Sequence, residues 1–227
     1  MSDAPASMPP IKIDIWSDVA CPWCYIGKRN LEAGLAQTAD DDDAPQVEIE
    51  YHSFELSPDT PVDFEGSSED FLATHKGISI EQARAMNERV ARIAEGAGLH
   101  YRLDLQQHTN TVLAHQLIHF AKAHGRQLEM KERLLSAYFV EGRHVGRIDE
   151  LAALAAEVGL DPAAARDSLE SGEYLAAVRQ DQAQARAYGI GGVPFFVIDG
   201  RYGVSGAQPP EAFAQVARQV WAEKQQA

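Results

Sequence analysis

Ile11-Lys12-Ile13-Asp14-Ile15-Trp16-Ser17-Asp18-Val19-Ala20-Cys21-Pro22-Trp23-Cys24 is the stretch on which the fold turns. Ile11 to Trp16 alternates apolar and polar residues, the period of a half-buried strand. After four further residues come two cysteines three apart, with a proline directly after the first. Pro22 suits the first turn of a helix, where its missing N–H would have had no partner. A helix is therefore expected from about Pro22, through Leu31 and Leu35, to the acidic run at Asp40. Cys21 then sits at the helix N-terminus, where free N–H groups and the macrodipole favour an anion. Cys24, one turn along, faces inward.

These are the only two cysteines in the chain. A bridge closing so short a loop adds little stability, which makes a redox-active pair the leading reading. Disulfide exchange needs a thiolate to attack, a second thiol to resolve the mixed disulfide, and access for a substrate sulfur. Cys21 and Cys24 supply the two thiols, and Trp23 stands beside the first, placed to touch an incoming substrate. A free cysteine titrates near 8.5, and nucleophiles of this kind fall to roughly 3.5–7.5. Trp23 brings no positive charge, so a modest depression at Cys21 is expected. Zinc wants about four ligands and the chain has no second cysteine pair. His115 and His119 imitate a zinc-protease motif but carry Gln116 where the catalytic glutamate belongs. No metal is expected.

Lys plus Arg number 20 against 34 Asp plus Glu, a net charge of −14. Such a surface repels nucleic acid and anionic membranes, so neither is an expected partner. No apolar run approaches the roughly 18–20 residues that span a bilayer. Met1 to Pro10 lacks the basic and apolar regions of a signal peptide, and reads as a disordered lead-in. The cytoplasm is the expected location, and monomer and homodimer both stay open.

Val47-Glu48-Ile49-Glu50-Tyr51-His52 alternates again, so strand, helix and strand suggest a parallel βαβ unit. Asp40 to Asp43 between them reads as a solvated loop. From about Glu69 to Tyr188 the period becomes helical. Met86, Val90, Ile93 and Ala97 share a face, as do Leu113, Leu117, Phe120 and Ala121, and these stripes are expected to be core. Asp161-Pro162 opens another helix. Pro194 to Ile198, the turn Asp199-Gly200, and Arg201 to Val204 give a hairpin, and Pro209-Pro210 starts a closing helix. The expected fold is α/β and thioredoxin-like with a large all-helical insertion. Residues 11–60 and 185–223 form one discontinuous domain and 61–184 the insertion, after a lead-in at 1–10.

Ser17 to Lys28, with Cys21-Pro22-Trp23-Cys24 at its centre, resembles the DsbA-like thiol–disulfide oxidoreductases, and among them the FrnE-type branch. Gly192-Val193-Pro194-Phe195-Phe196 resembles the thioredoxin-fold loop whose proline is cis. Asn110-Thr111, followed by Ala114-His115, resembles a segment of the branch's helical insertion. The resemblance implies that Pro194 packs against the cysteines, that the Val193 backbone pairs with an extended substrate, and that Asn110 and Thr111 contact it. It further implies a buried acid that assists the resolving thiol; Asp14 is the nearest match, one residue farther from the cysteine than in thioredoxin, and Asp18 the other candidate. Lys12 and Asp14 sharing a solvated face is the plain alternative. The implied activity is reduction or isomerisation of protein or small-molecule disulfides, with no bound cofactor and glutathione or another thiol as electron donor. Two other readings stand beside it. Kappa-class glutathione transferases and 2-hydroxychromene-2-carboxylate isomerases share the insertion architecture, but commonly replace the nucleophilic cysteine by serine. A peptide-binding chaperone would use the groove beside Trp23.

Overall fold

A computed structural model describes residues 8–41 and 44–226. Residues 1–7 of the expected lead-in, and Asp42 and Asp43 of the acidic run, lie outside the described residues. The chain opens with strand β1 (Ile11–Ser17), helix α1 (Pro22–Ala36) and strand β2 (Val47–Ser53), and β1 and β2 pair in parallel, Ile13 against Ile49 and Ile15 against Tyr51. Seven helices follow: α2 (Ser68–Lys76), α3 (Ile80–Gly96), α4 (Val112–Ala123), α5 (Gln127–Phe139), α6 (Ile148–Glu157), α7 (Pro162–Ser171) and α8 (Leu175–Ala187). The chain then returns to the sheet with β3 (Phe195–Ile198) and β4 (Tyr202–Ser205), and ends in α9 (Pro210–Gln225). The strand order is β2-β1-β3-β4, with β3 antiparallel to both its neighbours. The sheet is thus assembled from both ends of the chain around a helical insertion. Asp199 and Gly200 turn the hairpin with φ of 52° and 66°, the left-handed pair that a tight two-residue turn requires.

Alternation along β1 decides what each face meets. Ile11, Ile13 and Ile15 go into one core with Leu31 of α1, Phe196 and Ile198 of β3, and Phe213 and Val220 of α9. Helices α1 and α9 approach so closely that a Cβ at Gly34 would lie 2.4 Å from the Pro210 carbonyl oxygen, so only glycine fits there. On the opposite face Trp16 is fully buried against Ala185 of α8 and Ile190, and stacks on His52 at 4.5 Å. A second, larger core belongs to the insertion, where Leu117, Leu134, Tyr138, Phe139, Leu151 and Leu154 are buried together. Tyr25 and Ile26 of α1 join that core, whereas Leu31 joins the sheet's. The start of α1, with its cysteines, therefore lies on the seam between the two.

The outer edge of β2 carries backbone groups that no strand pairs, and the insertion closes it. Gln127 of α5 accepts from the Tyr51 N–H at 3.0 Å and donates to the Tyr51 carbonyl at 2.9 Å. Asp181 of α8 accepts the Ser53 N–H at 2.7 Å. An open edge is thereby satisfied without another strand. One expected core stripe is corrected. On α3 the buried face is Ala83, Asn87, Val90 and Ala94, while Met86 and Ile93 are 43% and 38% exposed. Met86 is exposed because α3 packs over α2 through the Ala83–Asn87 side and leaves its neighbouring face along a cavity.

Candidate active site

Cys21 is the N-cap of α1, in extended backbone (φ −92°, ψ 114°), and Pro22 fills the first helical position as expected. Both cysteines are free and buried, but they meet different surroundings. Cys21 lines a cavity of about 540 Å³ together with Trp23, Asp18 and Val193; Cys24 lies behind it. The Cys21 thiol points at the Val193 carbonyl, 3.5 Å away. The Val193–Pro194 peptide is cis, and Pro194 packs on α1 where Gly27 leaves room: a Cβ there would lie 2.9 Å from the Pro194 ring. Trp23, 40% exposed, stands at the cavity's lip.

Charge is distributed unevenly around the pair. On the cavity side, Asp18 is 2% exposed. Burial pushes its carboxyl up, but His115 Nε2 at 3.2 Å, the Leu56 N–H at 2.8 Å and the Thr111 hydroxyl more than offset this and hold it below the usual range. Asp18 is thus a fixed anion beside Cys21. On the interior side lies Lys131 of α5, 1% exposed and without an ion-pair partner among the described residues, its ammonium 5.4 Å from the centre of the Tyr51 ring. Burial lowers the Lys131 ammonium, and the negative charge at Cys24 and Asp18 opposes that.

The two thiols influence each other's ionisation. The Cys21 thiol is pushed well up by its hydrogen bond to Cys24, by burial and by the Asp18 charge. Burial would raise Cys24 too, but the hydrogen bond from Cys21 and the nearby Lys131 cation bring it below its ordinary value. The buried Ser17 hydroxyl, which has no hydrogen-bond partner among the described residues, is a donor held ready for a thiolate at Cys24. The expected depression at Cys21 is not what the surroundings favour: they push the Cys21 thiol up and draw Cys24 down. The reason is that the Cys24 N–H favours a Cys21 thiolate less than the Cys24 thiol, burial and Asp18 together oppose it, while the local cation stands behind Cys24.

The other expected residues separate. Thr111, buried at the start of α4, lines the cavity near Asp18. Asn110 does not line it: its side chain accepts from the Val112 N–H at 2.9 Å and donates to the Pro58 carbonyl at 2.8 Å, tying the loop ahead of α2 to α4. Asp14 also belongs elsewhere, 2.8 Å from His52 Nε2 and 3.0 Å from Lys12, so the shared polar face of Lys12 and Asp14 is what the structure contains. Asp14, Glu50 and His52 cluster closely enough to hold a cation, but Lys12 and Lys122 already neutralise the carboxylates. Asp18 is beside the cysteines, yet a carboxylate held low is a weak base. His115 and His119 pin carboxylates rather than a metal, His115 on Asp18 and His119 on Asp181 at 2.9 Å.

Lys131 and His108 were missed. Lys131 shares a helix face with Leu134, Leu135 and Tyr138, and a lone cation on so apolar a stripe was the available signal. His108 lines the cavity, bonded to the Tyr138 hydroxyl at 2.9 Å and stacked on Phe71, and burial lowers it to about 4, so it is neutral at neutral pH. Nothing in its local sequence marks it.

The DSBA-like thioredoxin domain model matches residues 12–217. The chain belongs to this family of thiol–disulfide oxidoreductases. Among solved structures, the DSBA-like chain is similar to a probable DsbA oxidoreductase from Streptomyces coelicolor, with 39% identity, coverage of 94% and 91% of the two chains, and a TM-score of 0.86. It also shares its fold with the cytosolic disulfide reductase DsbM from Pseudomonas aeruginosa, at 23% identity, coverage of 92% and 98%, and a TM-score of 0.64; that protein has been solved with GSH as well. An uncharacterized Bacillus subtilis protein, YwbO, is 31% identical over 83% of this chain and 86% of its own. Among the described residues of the DSBA-like chain, no helix is long and apolar enough to cross a membrane.

Proposed function

We propose that this DSBA-like protein is a dithiol–disulfide oxidoreductase that reduces or isomerises disulfides through Cys21 and Cys24. One observation carries the reading: one sulfur opens on a cavity while its partner, the better thiolate, is sealed behind it. A substrate disulfide entering the cavity reaches Cys21 alone. As Cys21 attacks, its proton passes to the neighbouring Cys24 sulfur. A Cys21–substrate disulfide forms, the substrate S–S bond breaks, and one thiolate leaves. Cys24 gives its proton to that thiolate and attacks the Cys21 sulfur, which closes the Cys21–Cys24 disulfide and releases the second thiolate. Two electrons pass from the dithiol to the substrate. Two equivalents of a thiol such as glutathione restore the dithiol; the likeness to a disulfide reductase solved with GSH supports this direction, and a cytoplasmic setting with it. Val193 and Trp23 border the attacking sulfur and are the contacts through which substrate is aligned.

The test is reduction of insulin by dithiothreitol or glutathione. The protein should accelerate it and Cys21→Ser should fall to the uncatalysed rate, because no third thiol exists. Undiminished turnover in Cys21→Ser would overturn the reading.

A further inference from the structure

The cavity beside Cys21 is more than an opening for a sulfur. At about 540 Å³ it falls within the roughly 300–1,000 Å³ of small-molecule sites. Its walls are apolar, made by Phe71 and Leu72 of α2 and by Met86 and Val90 of α3. Trp23, Leu56 and Met86 at the lining are 40%, 42% and 43% exposed, large apolar surfaces that await cover in a chain whose other apolar residues are mostly packed.

Two cations line the same space. Lys76 ends α2 and Arg89 lies on α3, and neither is ion-paired among the described residues. Their neighbours differ: Arg92, three residues past Arg89, pairs with Glu88 at 3.9 Å, and Arg166 on α7, Arg133 on α5 and Arg143 in the loop after α5 all hold carboxylates. In a chain of net charge −14 with 34 acidic residues, two free cations on one apolar cavity are an unusual local balance. The remaining ionisable groups of the lining fit it. Asp18 is an anion committed to His115 and Leu56 beside Cys21, His75 is stacked on Phe71 next to Lys76, and His108 is neutral. A ligand's negative charge is therefore repelled near the sulfur and attracted toward Lys76 and Arg89.

We infer that the cavity selects small-molecule disulfides with an apolar, ring-sized body and an acidic group, the acid held by Lys76 and Arg89 while the disulfide lies at Cys21. This rests on Cys21 and Cys24 being an exchange couple, and it names the substrate class of that couple. The electron balance is the one already given, with the substrate's S–S bond reduced to two thiols and Cys21–Cys24 oxidised.

Single-turnover kinetics separates this inference from the exchange reading. The reduced protein is mixed with 5,5′-dithiobis(2-nitrobenzoate), an aromatic disulfide carrying carboxylates, and in parallel with neutral 4,4′-dithiodipyridine. In the double variant Lys76→Gln/Arg89→Gln the rate with the anionic probe should fall about tenfold, the combined worth of two partly exposed ion pairs. The rate with the neutral probe should stay within about twofold. The anionic advantage of the unaltered protein should shrink in 1 M KCl, where screening acts within roughly 3 Å. An equal fall with both probes, or none with either, overturns the inference while leaving the exchange couple intact. A reduced protein that releases thiol from neither probe overturns both.

Discussion

The two halves of this molecule contribute different things to one pair of sulfurs. The sheet half, with α1 and α9, supplies the reacting atoms: both cysteines, the Val193 carbonyl and the Pro194 ring. The helical insertion supplies what surrounds them: His115 and Thr111 on Asp18, Lys131 behind Cys24, and Phe71, Met86 and Arg89 around the cavity. The sheet half sets which bond can be exchanged. The insertion sets where the charge rests and which molecule can approach. A dithiol at a helix start is thus only half an active site, and its surroundings come from residues 50 to 110 positions away in the chain.

The strongest way to break this division is to cut the tie between the halves. Asp181 of α8 holds His52 at 3.1 Å, His119 at 2.9 Å and the Ser53 N–H at 2.7 Å, and its own carbonyl accepts from the Trp16 indole at 3.1 Å. Removing one partner of a buried charged cluster leaves the others unpaired and costs about 3–5 kcal/mol. Asp181→Ala should lower the unfolding free energy in urea by that much, and a loss under about 1 kcal/mol would show the halves to be joined by packing alone. The pH dependence follows from the sign of the shift. The Asp181 carboxyl is held well below its ordinary value by His119 and His52 against the cost of burial. Its contribution is therefore complete above the unfolded carboxyl pKa of about 3.9 and fades as pH falls toward the folded value. Asp181→Ala should accordingly lose less stability than the unaltered protein on going from pH 5 to pH 2.

A smaller effect sharpens the comparison at the sulfurs themselves. Lys131→Met removes the cation behind Cys24 and keeps the shape of the side chain. The first thiol pKa, followed by iodoacetamide alkylation across pH, should rise by about one unit, equivalent to roughly 1.4 kcal/mol of thiolate stabilisation. Stability should hold or increase, because a buried unpaired ammonium is exchanged for an apolar group. An unmoved alkylation midpoint would show that the insertion does not tune the thiols.

Much of the sheet half was legible because its signals are local. Alternation in Ile11 to Trp16 and in Val47 to His52, proline after Cys21 and the Asp199-Gly200 turn each act within a few residues, and the strands and helix lie where they point. Helical periodicity likewise marked the insertion as helical and placed α3 and α4, and Asp161-Pro162 placed the start of α7. What it did not resolve was which stripe faces inward when two apolar stripes run down one helix: on α3 Val90 is buried, while Met86 and Ile93 are exposed. The charge pattern was harder still. Asp14 and Asp18 are equivalent in sequence, and only the fold sends one to Lys12 and His52 and the other to the cysteines. Asn110 and Thr111 are adjacent, yet one ties a loop and the other lines the cavity. Lys131 acts across 107 positions of chain on Cys24, a distance at which no spacing rule operates.

The central claim is that the outer sulfur attacks although the surroundings favour a thiolate at the inner one. Each single-serine variant retains one cysteine, so the two can be compared without mapping. Reduced Cys24→Ser and Cys21→Ser are mixed separately with 4,4′-dithiodipyridine and thiopyridone release is followed. Cys24→Ser should release one equivalent at a rate within a few-fold of the unaltered protein, which releases two. Cys21→Ser, with its remaining sulfur sealed behind the cavity wall, should react at least about 100-fold more slowly, some 2.7 kcal/mol in barrier. Reaction of Cys21→Ser as fast as Cys24→Ser would contradict the account.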